Sequence, residues 1–363
     1  MSDLNKTRDD VFGSVESSSE LESSSDVAHT YSSVPTDSAP KARRFRKRWL
    51  LYLFLLITLG PYLFFRATSF SRKIETAEFS NIAAPEFDGT IRVATWNIAH
   101  GRGATFDNWA GDGNSKQQRI EKISELIVGM DADVVVLNEV DFCSTWSGGY
   151  DQAATIAEQT GYPYVVKQSN LDFGFIYGRW HFGNVLLSRF PVSEVEVVEF
   201  TGINEWESWL VGCKRGFSCS VELESGSSDS AGSSISVIGL HLESRGEAVR
   251  VKEVADVARF AKKLNHPLVI AGDLNTTPSN APQSNADVNG ENAFENLIQA
   301  TELSFSPTLV PACQELTFPA FAPETTIDWI LFAEPKIKLV DQEVITTELS
   351  DHLPVVAEFR IEE

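Results

Sequence analysis

Positive charge is scarce in this chain, and so are sulfur and histidine. Against 51 aspartates and glutamates stand 30 lysines and arginines, a formal net charge of −21 over 363 residues, with four cysteines, two methionines and six histidines. Sequence-independent grip on DNA or RNA depends on lysines and arginines that displace counterions from phosphates, so this balance disfavours a protein that wraps a duplex. After residue 73 no run of four or more bases occurs; Lys262 and Lys263 adjoin, as do Lys214 and Arg215. The cysteines, Cys143, Cys213, Cys219 and Cys313, form no CxxC pair and no Cys/His cluster, which removes the pattern of a zinc site. Their number is even, so an oxidising compartment would allow disulfides. Cys213 and Cys219 either close a small loop or stay free and buried. No GxSxG elbow is present, which argues against a Ser-His-Asp acyl transferase. Nor does any fixed-period repeat point to a solenoid or propeller.

What is present is unevenly distributed. Residues 1–40 hold eight acids and two bases in a Ser-rich stretch without apolar periodicity, the composition of a disordered tail. Residues 41–48 hold six bases, and residues 49–65 hold no charge. That uncharged run spans 17 residues, or about 25 Å as a helix, at the short end of what crosses a bilayer. Flanking bases such as Arg66 can snorkel, and Gly60 and Pro61 are tolerated in such helices. A cleaved signal peptide would lie nearer the amino terminus and end at small residues. The expectation is a single transmembrane anchor at 49–65 after a basic juxtamembrane segment. Its basic amino side predicts a cytoplasmic amino terminus and an extracytoplasmic domain. Residues 66–89 read as a linker and 90–363 as one folded domain.

Within that domain four apolar runs read as buried strands: IRVATW (91–96), DVVVLN (133–138), ISVIGL (235–240) and LVIAG (268–272). Ile120, Ile123, Ile127 and Met130 recur at helical spacing after a polar opening at Asn114 and Ser115. DQAATIAEQ closed by Gly161 predicts a second helix, and Glu247 to Leu264 a third. The Ser- and Gly-rich stretch 225–234 reads as a hairpin loop, and 275–292 as a long surface loop. The aromatic stretch 200–217, with Trp206, Trp209 and Phe217, reads as core or as a lid.

The regularity that carries chemistry lies at the strand ends. The four runs are followed by Asn97, by Glu139, by His241, and by Asp273 with Asn275; Asp328 sits within TIDWILF, and Asp351 and His352 precede LPVVAEF. Any one polar residue at a strand end can simply begin a solvated turn. As a set they gather hard oxygen donors and imidazoles at the rim of a sheet, a combination suited to Mg²⁺, or Mn²⁺ in its place. Asp328, inside a strand, is costly to bury unless its charge is compensated. A hydrogen bond from His352 would do that and keep the imidazole basic.

In this order, TWNIAHG, LNEVD, GNVLLSRFP, GLHLES, AGDLNTTP, TIDWILF and SDHLPVV resemble the endonuclease/exonuclease/phosphatase superfamily of metal-dependent phosphohydrolases, over about residues 90–360. The resemblance implies an α/β fold, a four-layer α/β/β/α sandwich of two packed mixed sheets flanked by helices. It implies Glu139 as principal metal ligand, with Asn97 and Asp351 helping to hold metal and water. Asp273 and Asn275 would orient or activate the nucleophile and contact the phosphate. His241 would stabilise negative charge, and Asp328 and His352 would form an acid–imidazole pair. Asp273 and His352 both stand as the base, and one metal or two are both compatible with the motifs. Two departures are visible: LNEV carries Asn138 where the family commonly has Gln, and Ala99 stands where DNA-repair members carry Asp. Asn184 and Arg250 lie in matching segments, either reaching substrate or fixing loops.

These motifs imply a Mg²⁺-dependent phosphodiesterase or phosphatase; the substrate class stays open, and an acidic domain tethered to a membrane suits phospholipid headgroups or inositol phosphates. A metal-dependent nuclease acting on DNA is the second reading, disfavoured by the charge. A membrane-anchored binding domain without turnover is the third, since fold does not guarantee activity.

Overall fold

Strands that are apolar on both faces need cover on both faces, and the chain supplies it by stacking two sheets with helices outside them. The computed structural model describes residues 41–68, 73–79, 82–175, 178–201, 214–223, 233–281, 283–307 and 315–362. The expected tail at 1–40, the 225–234 loop for all but its last two residues, Trp206, Trp209, Cys213 and Cys313 lie outside the described residues. Two units divide the chain, 1–53 and 54–363.

Helix α1, Lys41–Thr68, takes in both the basic segment and the uncharged run, with Pro61 inside it. Among the described residues no helix is long and apolar enough to cross a membrane. The transmembrane helix expected at 49–65 is therefore not borne out, although the run is helical.

In the second unit, seven strands form one sheet in the order β1 (Ile74–Glu78), β4 (Tyr164–Phe175), β5 (Gly178–Ser188), β3 (Val134–Asp141), β2 (Thr90–Asn97), β13 (Val355–Ile361) and β12 (Ile337–Val344). Six form the other: β10 (Ser304–Ser306), β11 (Asp328–Phe332), β9 (Leu268–Asp273), β8 (Ser233–His241), β7 (Gly216–Leu223) and β6 (Val192–Val198). The β2/β3 and β8/β9 pairs are parallel and the remaining pairs antiparallel, so both sheets are mixed. Part of the expected linker is strand: β1 pairs with β4 from Ile74 opposite Gln168 to Glu78 opposite Tyr164, so the sheet begins well before residue 90.

Three apolar clusters fix the layers. Val93, Val134, Phe217, Val237 and Ile330 meet between the sheets, which places Phe217 of the aromatic stretch in the core. Outside the first sheet, α2 (Gly113–Met130) and α3 (Gln152–Thr160) lie over Trp96, Val135 and Leu187. Ile120, Ile123, Ile127 and Met130 of α2 are buried there, as their spacing predicts. Asp112 starts α2 with a capping box to Ser115, and Gly161 ends α3 in the left-handed region. Outside the second sheet, α4 (Glu247–Ala261) and α5 (Ala293–Thr301) cover Ile238, Ile270 and Trp329. The architecture is the four-layer sandwich that the motifs imply.

Strand direction decides where the polar ends go. β8 and β9 run parallel with His241 opposite Asp273, and β11 runs antiparallel to β9 with Asp328 opposite Asp273. β2 and β3 run parallel with Asn97 opposite Asn138, and β13 enters antiparallel beside β2 with Val355 opposite Thr95. Strand ends of one direction and strand starts of the other thus share one rim, and all the chemistry-bearing motifs except GNVLLSRFP open on it.

Gly272 makes this convergence possible. It holds φ +147°, and a Cβ there would stand 1.9 Å from the carbonyl oxygen of Leu240 on the neighbouring strand. Neither backbone can retreat without breaking the β8/β9 ladder. Gly272→Ala is expected to cost about 3 kcal/mol of folding stability, at the upper end of overpacking penalties. Urea denaturation measures it, and a loss below about 0.5 kcal/mol, the scale of an ordinary surface change, would refute the steric account.

Candidate active site

Local backbone distortion turns side chains out of the sheets at the rim. The β3/β5 register shifts between Leu137 and Val140, and Glu139 within that bulge has φ 53°. Ala99, His100 and Asn275 also occupy the left-handed region, at φ 50°, 54° and 50°. Outside glycine such conformations cost energy and persist where surrounding contacts over-determine them, as they often do at functional sites.

The first cluster is built on carboxylates. Glu139 Oε2 lies 3.0 Å from Arg102 Nη1 and 3.2 Å from His100 Nε2. The other terminal nitrogen of Arg102 donates to Asp351 Oδ2 at 2.6 Å, so one guanidinium bridges Glu139 and Asp351. Its Nε donates to Thr105 O at 2.7 Å, and Nη1 also donates to Asn108 Oδ1 at 2.8 Å. His100 Nδ1 lies 3.0 Å from Asp141 Oδ1, and its ring packs against Trp146 and Phe182 with centroids 5.0 Å away in each case. Burial opposes the charge on His100, but Asp141 and Glu139 outweigh it and raise the imidazole pKa. Burial likewise opposes ionisation of Glu139, yet His100, His241, Arg102 and Lys214 hold its carboxyl well below the ordinary range.

The second cluster is built on Asp273. Asn97 donates Nδ2 to Asp273 Oδ2 at 3.0 Å, while the other carboxylate oxygen accepts the backbone N–H of Asn275 at 2.9 Å. His352 Nδ1 meets both oxygens of Asp328, at 3.1 and 3.0 Å, and its Nε2 lies 3.9 Å from Asp273 Oδ2. Burial alone would lower the pKa of His352, but Asp328 and Asp273 push it up to about 10. Burial, reinforced by Asp328, pushes Asp273 up to about 6 against the pull of His352 and Lys214. His241 is of the opposite kind. Burial and the ammonium of Lys214, which donates to Nε2 at 2.7 Å, hold this ring neutral, with its pKa well below the ordinary value.

Of the residues predicted from sequence, Asn97, Glu139, His241, Asp273, Asn275, Asp328, Asp351 and His352 share this rim. Asn97 contacts Asp273, and its Oδ1 accepts the backbone N–H of Ala99 at 3.0 Å. The other two predicted residues are committed elsewhere. Asn184, itself buried, donates to Gln168 Oε1 and Arg215 O and accepts from Asn138. Arg250 makes a two-pronged bond to Glu247 Oε2 at 2.9 and 2.7 Å and donates to Glu243 O at 2.6 Å. Neither is directed at the rim, because each already has partners for its polar atoms. The departure at Asn138 is accommodated: its Nδ2 donates to Asn184 Oδ1 and Leu240 O, and its Oδ1 accepts from Asp273 N, at 2.9 Å each. Sequence reasoning missed Arg102, His100 and Lys214. His100 and Arg102 lie in or just after TWNIAHG, a motif from which the resemblance assigns a site role to Asn97 alone. Lys214 was visible as half of a basic pair, with nothing to aim it at the rim.

The donor set fits a hard divalent cation. Glu139 and Asp351 already share a positive group, so the two carboxylates converge on one point, and both offer oxygen. Asp273, Asp328 and His352 also place ligand atoms within 4.8 Å of one another. There, however, the imidazole is held protonated and would have to surrender its proton before it could bind a metal. Glu139 and Asp351, bridged by Arg102, form a second candidate pair of oxygen ligands beside it.

Known proteins agree with this fold. The family model for the endonuclease/exonuclease/phosphatase family matches residues 94–352. No curated protein matches the chain. Similar solved structures include an endonuclease/exonuclease/phosphatase from Beutenbergia cavernae, with 22% identity over 75% of this chain and 72% of that one and a TM-score of 0.53. The human Nocturnin catalytic domain is 16% identical over 80% of this chain and 97% of its own, with a TM-score of 0.53. A mannosyl-6-phosphatase from Bacteroides thetaiotaomicron is 17% identical over 74% and 99%, with a TM-score of 0.52.

Arg102 is 10% exposed at its side chain and neutralises two carboxylates. Arg102→Gln is expected to destabilise the metal-free protein by about 3 kcal/mol, the scale on which a buried pair loses one partner. Mn²⁺ should then restore more stability to the variant than it adds to the wild type, read by denaturation with and without the ion. Equal gains in both proteins would show that the ion does not replace the guanidinium.

Proposed function

The chain belongs to the endonuclease/exonuclease/phosphatase family, and on that premise we propose that it is a divalent-metal-dependent phosphoester hydrolase whose attacking water gives its proton to Asp273. One observation carries this reading: a buried line of Asp328, His352, Asp273 and Asn97 lies beside the carboxylates Glu139 and Asp351. Mg²⁺ or Mn²⁺ held by those two carboxylates would supply Lewis-acid polarisation of a phosphoryl oxygen.

The protein's own groups do the rest. Asp273, raised to about 6, is ionised yet basic near neutral pH, the balance that suits a general base. Asn97 and the backbone of Asn275 fix its two oxygens and so aim the lone pair. Asp328 keeps His352 positive, so an imidazolium faces the charge that grows on phosphorus-bound oxygens. The neutral ring of His241 cannot carry that charge while Lys214 donates to it, and the ammonium of Lys214 supplies a cation at that wall.

Location belongs to the same proposal. Trp49, Phe54 and Leu56 of α1 are 67, 62 and 69% exposed, and six bases precede them. An exposed apolar surface beside clustered bases supports attachment to an anionic lipid surface. The full chain should sediment with vesicles containing anionic lipid and stay in solution with neutral vesicles, and sedimentation with both kinds of vesicle or with neither would overturn the electrostatic attachment.

Full-length protein in detergent, given Mg²⁺ or Mn²⁺ and a panel of DNA, phospholipid and inositol-phosphate substrates, should release phosphorus products. Glu139→Ala, which removes a metal ligand, and His352→Ala, which removes a fixed positive charge, should each lower kcat/KM by at least about a hundredfold, the lower range for lost electrostatic stabilisation. Preference for DNA would favour the nuclease reading, and turnover untouched by both substitutions would remove the site assignment. The rate should rise as pH passes about 6, where Asp273 becomes ionised, and fall as pH passes about 10, where His352 loses its proton. A flat profile across that window would exclude both roles.

A further inference from the structure

Beyond the reacting groups the rim opens into a pocket of about 260 Å³, between the loop that follows β9 and the segment that leads into β11. Asn275 belongs to both places, and the Phe318 ring separates them, lining the pocket while its centroid lies 4.7 Å from that of His352. Any group esterified to a phosphate at Asp273 and His352 has this pocket as its neighbour. The volume is below the roughly 300–1,000 Å³ of pockets that take drug-sized ligands, so it suits one small ring.

Its walls specify chemistry. Among the described residues no lysine, arginine or histidine lines it, while Glu247 and Glu324 do, so a second phosphate or a nucleic-acid backbone finds no counter-charge there. The floor is rigid and its charge cancelled: Glu247 is paired with Arg250 and accepts from Thr276 Oγ1 at 3.1 Å and from Ala293 N at 2.6 Å. This is where Arg250 acts, behind the pocket and not in it. Thr277 also lines the pocket; it is buried, and its Oγ1 has no hydrogen-bond partner among the described residues. A buried hydroxyl left unpaired costs about 1–3 kcal/mol, which a ligand hydroxyl would recover. Gln283 and Asn285 add amides that both donate and accept, Glu324 adds an acceptor, and Phe318 offers an apolar face.

A quaternary ammonium group would leave Thr277 Oγ1 unpaired and would find one aromatic ring where ammonium cages use several. A simple alkyl group would leave every polar wall atom unpaired. Vicinal hydroxyls on a saturated ring match the set, since each donates and accepts while the ring lies against Phe318. We propose that this pocket binds the polyhydroxylated alcohol portion of the substrate, a cyclitol or a monosaccharide. The proposal rests on the hydrolase reading for why that alcohol carries a phosphate, but its binding can be measured alone.

Full-length protein in detergent is titrated with myo-inositol, methyl α-mannopyranoside and choline, followed by saturation-transfer NMR. Inositol or the mannoside should bind and choline should not. Thr277→Val should weaken the polyol about three- to tenfold, the worth of one hydrogen bond, and Asn285→Ala at the open edge should weaken it in the same direction. Binding of choline in preference, or polyol binding equal in wild type and both variants, would overturn the proposal. Phosphoesters of the same alcohols separate the two readings. Polyol binding without hydrolysis of any ester would retain the pocket and remove the hydrolase, whereas hydrolysis indifferent to the alcohol would retain the hydrolase and remove the pocket.

Discussion

Two carboxamides fasten the sheets together at the end where the reacting groups lie, and the rest of the site depends on that fastening. Asn97, from the first sheet, donates to the carboxylate of Asp273 in the second; Asn138, also from the first, accepts the backbone N–H of Asp273 and donates to Leu240 O. Both side chains are buried, so each bond unmade would leave polar groups stranded away from water at about 1–3 kcal/mol apiece. Apolar contact between the sheets is non-directional and would tolerate sliding. The hydrogen bonds do not, and they settle how far Asp273 stands from the groups of the other sheet.

That registry explains how so many charges coexist at one rim. Along Asp328, His352, Asp273 and Lys214 the signs alternate, and along Asp351, Arg102, Glu139, His100 and Asp141 they alternate again. Buried charges survive when each has a partner and the partners' remaining valences are filled. The two chains of charge meet at His241, whose Nε2 is 3.8 Å from Glu139 and 3.5 Å from Asp273. A neutral ring there is consistent with the surroundings, because Lys214 already provides the positive charge next to it.

Legibility in the sequence follows backbone direction more than residue type. Each apolar strand ends in a polar side chain, and the sandwich brings those ends to one rim, so Asn97, Glu139, His241 and Asp273 are legible in the amino-acid order alone. Arg102 is not, because its meaning comes from Asp351, 249 residues away, and no spacing encodes that meeting. Lys214 is hidden for the same reason: its partners His241 and Leu242 lie on another strand and the turn after it. Asn184 and Arg250 err the other way. A motif places a polar residue near the site without saying whether its atoms are already spoken for, and Gln168 and Glu247 claim them. The uncharged run of α1 is legible as a helix, since apolar residues without interruption by charge favour one.

Arg250 shows how the outer layer serves the rim without reaching it. α4 lies outside the second sheet, yet its first turn carries Glu247 beneath the loop after β9, where it accepts from Thr276 and from the backbone N–H that opens α5. One carboxylate thereby ties α4, α5 and the loop together, and it needs Arg250 one turn later to be tolerable in a buried place. The loop so anchored carries Asn275, whose backbone N–H fixes an oxygen of Asp273, and Thr277, whose hydroxyl stands unpaired at the neighbouring pocket. A loop stretched between a fixed carboxylate at one end and a fixed helix start at the other has little freedom to swing. Reacting group and recognition group are therefore held at constant separation by the same few hydrogen bonds, and loosening the Arg250–Glu247 pair would disturb both at once.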